Sequence, residues 1–146
     1  MYQAMKPYNR RAVLGLLAAG LLAALLPVSA SACRCTEPVE IKGPYSRSHA
    51  IVLAKAARVT PNPKIDGFTV ELQVREAWKN SVPAKLTIET GTDCRYPFEV
   101  DKEYLVVVLK GSAGYSTGRC MGNRSSDEAH RAIEWLNAHG ARAKVE

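Results

Sequence analysis

Phe68-Thr69-Val70-Glu71-Leu72-Gln73-Val74-Arg75, running on through Glu76-Ala77 to Trp78, alternates apolar and polar side chains. Side chains of an extended chain point to opposite faces in turn, so this pattern predicts a β-strand with one buried and one wet face. Upstream, Lys64 to Gly67 supplies a turn containing Asp66-Gly67, and His49 to Thr60 (HAIVLAKAARVT) is apolar and β-branched enough for a partner strand. That strand is expected to end where Pro61 and Pro63 withhold backbone donors. The two strands are therefore expected to form a hairpin.

Working outward, Lys79 to Pro83 reads as a loop and Ala84 to Thr90 alternates again through Leu86 and Ile88. Gly91 to Val100 is a loop carrying Cys94, Tyr96 and Phe98, and Asp101-Lys102 a turn. Tyr104 to Leu109 (YLVVVL) is apolar at every position, as in a central strand covered on both sides. The glycine-rich stretch from Gly111 to Gly118 has room for a short strand near Tyr115.

Ser125 to Gly140 predicts the one convincing helix. Ser125 and Glu128 form a capping-box pattern, Asp127 suits the positive end of the dipole, and Ala129, Ala132, Ile133 and Leu136 share a face. Gly140 is a natural stop, and residues 141 to 146 read as a frayed tail. Thr36 to Ser48, with Gly43 and Pro44, allows at most a short helical turn. The economical architecture is mainly β: a small, partly open five-stranded Greek-key barrel with a C-terminal α-helix.

The N-terminal region has a different character. Lys6, Arg10 and Arg11 precede an apolar run from Ala12 to Leu26, then Pro27 and the small-residue site Ala30-Ser31-Ala32. This is the pattern of an export signal covering residues 1–32, with a mature domain over residues 33–146. The apolar run is shorter than the ~20 residues of a spanning helix. Asn9-Arg10-Arg11 also fits a loose twin-arginine pattern, which leaves the export route open. Without the signal's three basic residues the net charge falls from +6 to +3. No basic stripe remains to argue for nucleic acid.

The mature chain would begin Cys33-Arg34-Cys35, and Cys94 and Cys120 complete an even count of four cysteines. In an oxidising compartment this predicts two disulfides, with three pairings open. A Cys33–Cys35 ring would be very tight, which favours one link from each to Cys94 and Cys120.

Cys33-x-Cys35, then Ser48-His49-Ala50-Ile51-Val52-Leu53-Ala54-Lys55, resembles the opening of bacterial netrin-like domains. The likeness continues through Val70-x-Leu72-x-Val74-x-x-Ala77-Trp78-Lys79, Cys94-x-Tyr96-x-Phe98-x-x-Asp101-x-x-Tyr104-Leu105-Val106 and Cys120. Such domains share an OB-fold with the tissue inhibitors of metalloproteinases. The resemblance implies the pairing Cys33–Cys94 and Cys35–Cys120 and a helix packed on the barrel. It also implies a non-catalytic role, with no cofactor and no metal of its own. In the inhibitor branch, the free amine and carbonyl of the terminal cysteine chelate a secreted zinc metalloproteinase's metal. Cys33 would then face the zinc, Arg34 enter the specificity pocket, and Cys35 complete the inhibitory edge.

This chain departs from the family at Ala54, Asn80 and Asp101, where glycines are usual, and at Arg34, where inhibitors place a small or β-branched residue. Asn and Asp tolerate positive φ best among the other residues.

Competing readings remain. In one, Cys33-x-Cys35 serves only as a staple in a generic envelope or extracellular interaction module. Ala30-Ser31-Ala32-Cys33 is also a weak lipobox, and lipidation of Cys33 would attach the protein to a membrane but strand one thiol. Thiolates at Cys-x-Cys would suit a soft metal, yet no histidine is near in sequence and the spacing differs from redox Cys-x-x-Cys. His49 reads as a half-buried or surface residue, His130 as solvent-facing and His139 as a cation in the last helical turn. Asp93 reads as a turn residue, and Trp78 and Trp135 as packing anchors. Asn123-Arg124-Ser125 matches a glycosylation triplet, set aside because signal and resemblance are bacterial.

Overall fold

The first strand, β1 (Ala50–Asn62), has a neighbour on each side along its first half, and this is what closes the sheet. It pairs antiparallel with β2 (Gly67–Trp78) along its length and with β4 (Glu103–Gly111) from Ala50 to Lys55. In the computed structural model, β2 continues antiparallel to β3 (Lys85–Gly91), and β3 runs parallel to β5 (Gly114–Ser116) through Ile88↔Tyr115 and Glu89↔Ser116. β5 pairs back onto β4, so the order β1-β2-β3-β5-β4-β1 is a closed five-stranded OB-fold-like barrel. The described residues are Cys33, Cys35 and 40–146. The expected signal (1–32), Arg34 and residues 36–39 lie outside them.

Alternation on β1 and β4 sorts side chains into two cores. Ala50, Val52, Ala54, Ala56, Tyr104, Val106 and Val108 fill the barrel with Val70, Leu72, Leu86 and Ile88. Ile51, Leu53, Leu105 and Val107 face outward and are covered by Ala129, Ala132 and Leu136, together with Ile41 and Trp78. The last three helical residues named lie at or just before the C-terminal helix α2 (His130–His139). The apolar-throughout stretch at β4 thus has its two covered faces. Ala54 is fully buried inside the barrel.

Several expectations are corrected. β1 runs through Pro61, which pairs with Phe68, instead of stopping at Thr60. Beyond Lys55, β4 no longer flanks β1, so Pro61 sits on an edge where a missing donor is tolerated. The turn after it is a 3-10 segment, Pro63–Ile65, ended by Asp66 in the left-handed region.

The helix begins later than its sequence signal. Ser125 belongs to a two-residue strand, β6 (Arg124–Ser125), paired with Tyr104. Its hydroxyl donates to the Glu128 carboxylate at 3.1 Å instead of capping a backbone N–H. A 3-10 turn, Ser126–Glu128, precedes the helix proper.

Gly140 does end α2, but with φ −87° rather than a left-handed cap. Proximity explains the glycine: a Cβ there would lie 2.6 Å from the Leu136 carbonyl oxygen.

The tail is ordered rather than frayed. β7 (Arg142–Ala143) pairs with Ala77 and Trp78, and Val145 bridges to Val82. Arg142 lies 4.9 Å over the Trp78 ring and its guanidinium bonds the Glu76 carboxylate.

Of the two expected glycine substitutes, Asp101 takes the positive φ (68°), but Asn80 does not. The preceding Lys79 does, at 83°. Its ammonium donates to the carbonyl oxygens of Tyr45 (2.8 Å), Ser46 (3.0 Å) and Ser48. It thereby closes the C-terminal end of a six-residue helix, α1 (Lys42–Arg47), where the Ser48 N–H and hydroxyl also donate to the Pro44 and Tyr45 carbonyls. Asn80 donates instead to the His49 carbonyl at 2.7 Å.

Replacing Lys79 with Met keeps the stem and removes the charged donor. The expected loss is about 2 kcal/mol in urea denaturation, the scale of hydrogen bonds from a charged group. An unchanged midpoint would show that the clamp contributes nothing net.

Candidate functional site

Two loops at one rim of the barrel present the cysteines that hold the N-terminal segment. Cys94 follows β3, where the chain turns sharply at Thr92 (φ 61°). The Thr92 N–H donates to both the Ile65 and Asp66 carbonyls at 3.1 Å, which braces this loop against the β1–β2 turn. The Tyr96 N–H donates to the buried Thr90 hydroxyl at 2.8 Å, fixing the other side of Cys94. Cys120 sits in a 3-10 turn, Arg119–Met121. The Arg119 N–H donates to the Cys94 carbonyl at 2.7 Å, so backbone alone already joins the two loops.

Near Cys120 in sequence, Asn123 holds the backbone of Val107 on the side away from β1, in the gap between the β6 and β5 pairings of β4. Its side-chain oxygen accepts from the Val107 N–H at 2.7 Å. Its amide donates to the Thr117 hydroxyl at 2.8 Å and the Gly118 carbonyl at 2.9 Å. The buried Thr117 hydroxyl donates in turn to the Val107 carbonyl at 2.6 Å. Sequence reading registered Asn123 only as part of a glycosylation triplet. Nothing in its spacing announces a side chain that fills a gap in a β-ladder.

Onto this platform the chain fastens Cys33 to Cys94 and Cys35 to Cys120, each with Cα atoms 5.2 Å apart. This is the pairing implied by the netrin-like resemblance. The Cys33 and Cys120 sulfurs, which are not bonded to each other, approach to 3.5 Å, so the bridges form one cluster. Cys33 is half-buried and Cys35 exposed. Arg34, the other expected edge residue, lies outside the described residues. The two disulfides are consistent with an oxidising, exported compartment.

An aromatic group lies beside Cys94. Tyr96, Phe98 and Tyr104 meet edge to face, with centroids 4.8 to 5.8 Å apart. Burial, with Tyr104 and Glu128 nearby, pushes the Tyr96 phenol up to about 12, against a partial opposing pull from Arg124.

The histidines are dispersed. His49 is half-buried near the Tyr115 ring at 5.7 Å, and burial with Lys110 and Lys79 lowers its pKa. His130 is exposed on α2, and His139 stacks on Trp135 in the last turn. Asp93 is exposed in the Cys94 loop. Trp78 is fully buried, while Trp135 is half-buried and packs edge-on against Tyr45. A polar-rimmed depression of about 400 Å³, bordered by Arg58, Glu71, Gln73, Lys85 and Thr87, involves none of the cysteines.

The fold and site define a disulfide-tied, OB-fold-like barrel. No protein-family model and no curated protein matches the chain.

The Tyr96 shift has a definite sign. A phenol that ionises near 12 when folded and near 10 when unfolded favours the unfolded chain as pH rises between those values. In an alkaline titration followed by tyrosinate absorbance, Tyr96→Phe is expected to remove a step near pH 12. Loss of a step near pH 10 would contradict the burial of this phenol.

Proposed function

We propose that this is an exported, non-catalytic binding domain whose tip is the N-terminal cysteine. Its sharpest form is a metalloproteinase inhibitor. Cleavage after Ala32 frees the Cys33 α-amine, which with the Cys33 carbonyl oxygen chelates the catalytic zinc of a secreted protease. Arg34 then enters the protease's specificity pocket, and the protein works in the periplasm or outside the cell.

One observation carries this reading: both cysteines of Cys33-x-Cys35 are bonded to loops that are themselves hydrogen-bonded to each other. A terminus held this way loses little freedom on binding. The chemistry is compatible, because a catalytic zinc keeps an open coordination position and an α-amine of pKa ~8 has an accessible neutral form. The Cys33–Cys94 bridge also favours a free terminus over a lipoprotein, since a lipid thioether would need the same sulfur.

The second reading is a generic interaction module in which the terminus is only stapled down. Arg34 favours it, since a long cation suits few apolar pockets, and the two bridges account for both cysteines without a partner.

The test uses the exported protein, with its N-terminus sequenced, against a panel of secreted zinc proteases. The expected result is inhibition that strengthens as pH rises through ~8, where the amine becomes neutral. Acetylating Cys33 or extending it by one Ala should abolish inhibition. Equal inhibition by free and blocked forms would overturn the chelation mechanism. Inhibition by neither would leave the interaction-module reading.

A further inference from the structure

We infer that His49 and Lys110, at the end of the barrel opposite the cysteines, form a binding site for a phosphate group. This is independent of the inhibitor reading, which concerns the other end.

Strand register brings the two residues together. β1 begins where β4 finishes, with Ala50 opposite Val108, and the His49 N–H donates to the Val108 carbonyl at 2.8 Å. Lys110 follows two residues later and pairs with Tyr115 across the β4–β5 hairpin. The half-buried Tyr115 ring is the common neighbour of both side chains. The His49 ring lies 5.7 Å from it, and the Lys110 ammonium sits 5.6 Å over it.

Other elements add positive charge at the same place. β2 ends at Trp78, and the next residue, Lys79, donates to the Ser48 carbonyl, while Asn80 donates to that of His49 at 2.7 Å. α1 ends two residues before His49 at Arg47, which is also basic. Neither Lys79 nor Lys110 takes part in an ion pair among the described residues. The charges that act on His49 are those of Lys110 and Lys79, and together with burial they hold its pKa below the usual value.

These cations are not equivalent. Lys79 donates to three carbonyls, which uses every proton of its ammonium, so it supplies charge without a spare donor. Lys110 is exposed, and among the described residues neither its ammonium nor the His49 ring makes a hydrogen bond. The end of the barrel therefore offers two uncommitted donors inside a positive field. A phosphate group presents several acceptor oxygens and up to two negative charges, so separate oxygens accept from Lys110 and from the protonated His49 ring. A bound anion favours the imidazolium and raises the His49 pKa. By reciprocity, the anion binds more tightly as pH falls through that value.

The test follows the three histidine rings of the full-length protein, bridges intact, by nuclear magnetic resonance as sodium phosphate is added. Sodium chloride and sodium acetate at matched ionic strength are the references. The expected result is a saturable shift confined to His49, with its titration midpoint moving up in phosphate, while His130 and His139 stay in place. Lys110→Gln should weaken phosphate binding by about 10-fold or more, the scale of a hydrogen bond from a charged group. Lys64→Gln, which removes an exposed cation at the β1–β2 turn, should leave binding unchanged.

Co-sedimentation with vesicles of phosphatidylglycerol in phosphatidylcholine identifies the source of the phosphate. Lys110-dependent capture by these, and not by phosphatidylcholine alone, assigns a lipid headgroup. No capture alongside a positive phosphate titration assigns a soluble phosphate. The inference is overturned if chloride or acetate reproduces the shifts, if all three histidines move alike, or if Lys110→Gln binds as the native chain does. It is also overturned if neither phosphate nor the vesicles move the His49 midpoint.

Discussion

The structure depends on β1 being shared. Along Ala50 to Lys55 it is hydrogen-bonded to β2 on one side and β4 on the other, so the sheet has no open edge there. That position also buries both faces of the strand, because alternate residues enter the barrel core and the layer under α2. A charge at any position from Ala50 to Ala54 would be taken out of water without a partner, whereas Lys55, at the end of the shared run, is exposed and pairs with Asp101. Small residues at Ala50, Ala54 and Ala56 leave room inside the barrel for Leu72, Leu86, Ile88 and Tyr104.

The barrel closes without the N-terminal segment, so the two bridges act on what is attached to it. They span 61 and 85 residues. In a chain-entropy treatment, loops of that length each restrict the unfolded chain by about 4 kcal/mol, less when they overlap as these do. Their more local effect is to set Cys33 and Cys35 against loops already braced by Thr90, Thr117 and Asn123. A terminus fastened by both of its cysteines to braced loops is the feature from which the inhibitor proposal arises.

Much of this was legible in the sequence, for identifiable reasons. Strand β2 announced itself because one face is wet and the other dry, and β4 because both faces are covered. The bridge pairing came from a resemblance; residue spacing alone left three pairings open. What could not be read depends on contacts distant in sequence. The terminal segment lacks periodicity, yet Arg142 and Ala143 are ordered by pairing with Trp78 and Ala77. Lys79 takes the left-handed turn expected of Asn80, and its ammonium is held by carbonyls more than thirty residues away. Ser125 carried a capping signal that was overridden because β4 claims it as a strand residue. The roles of Asn123 and Thr117 required knowing where one side of β4 lacks a strand, between β6 and β5.

The most direct test of the central claim, that the barrel rim fastens the N-terminal segment through these two bonds, is a disulfide map. The protein, purified without reductant, would be alkylated, digested without reduction and analysed by mass spectrometry. The account predicts linked peptides joining Cys33 to Cys94 and Cys35 to Cys120 and no free thiol. Because only Arg34 separates Cys33 from Cys35, a digest assigns each bond only if trypsin cuts at Arg34 between the two bridges, and partial reduction with stepwise alkylation would assign them independently. A Cys33–Cys35 or Cys33–Cys120 bond, or a free cysteine among the four, would contradict it.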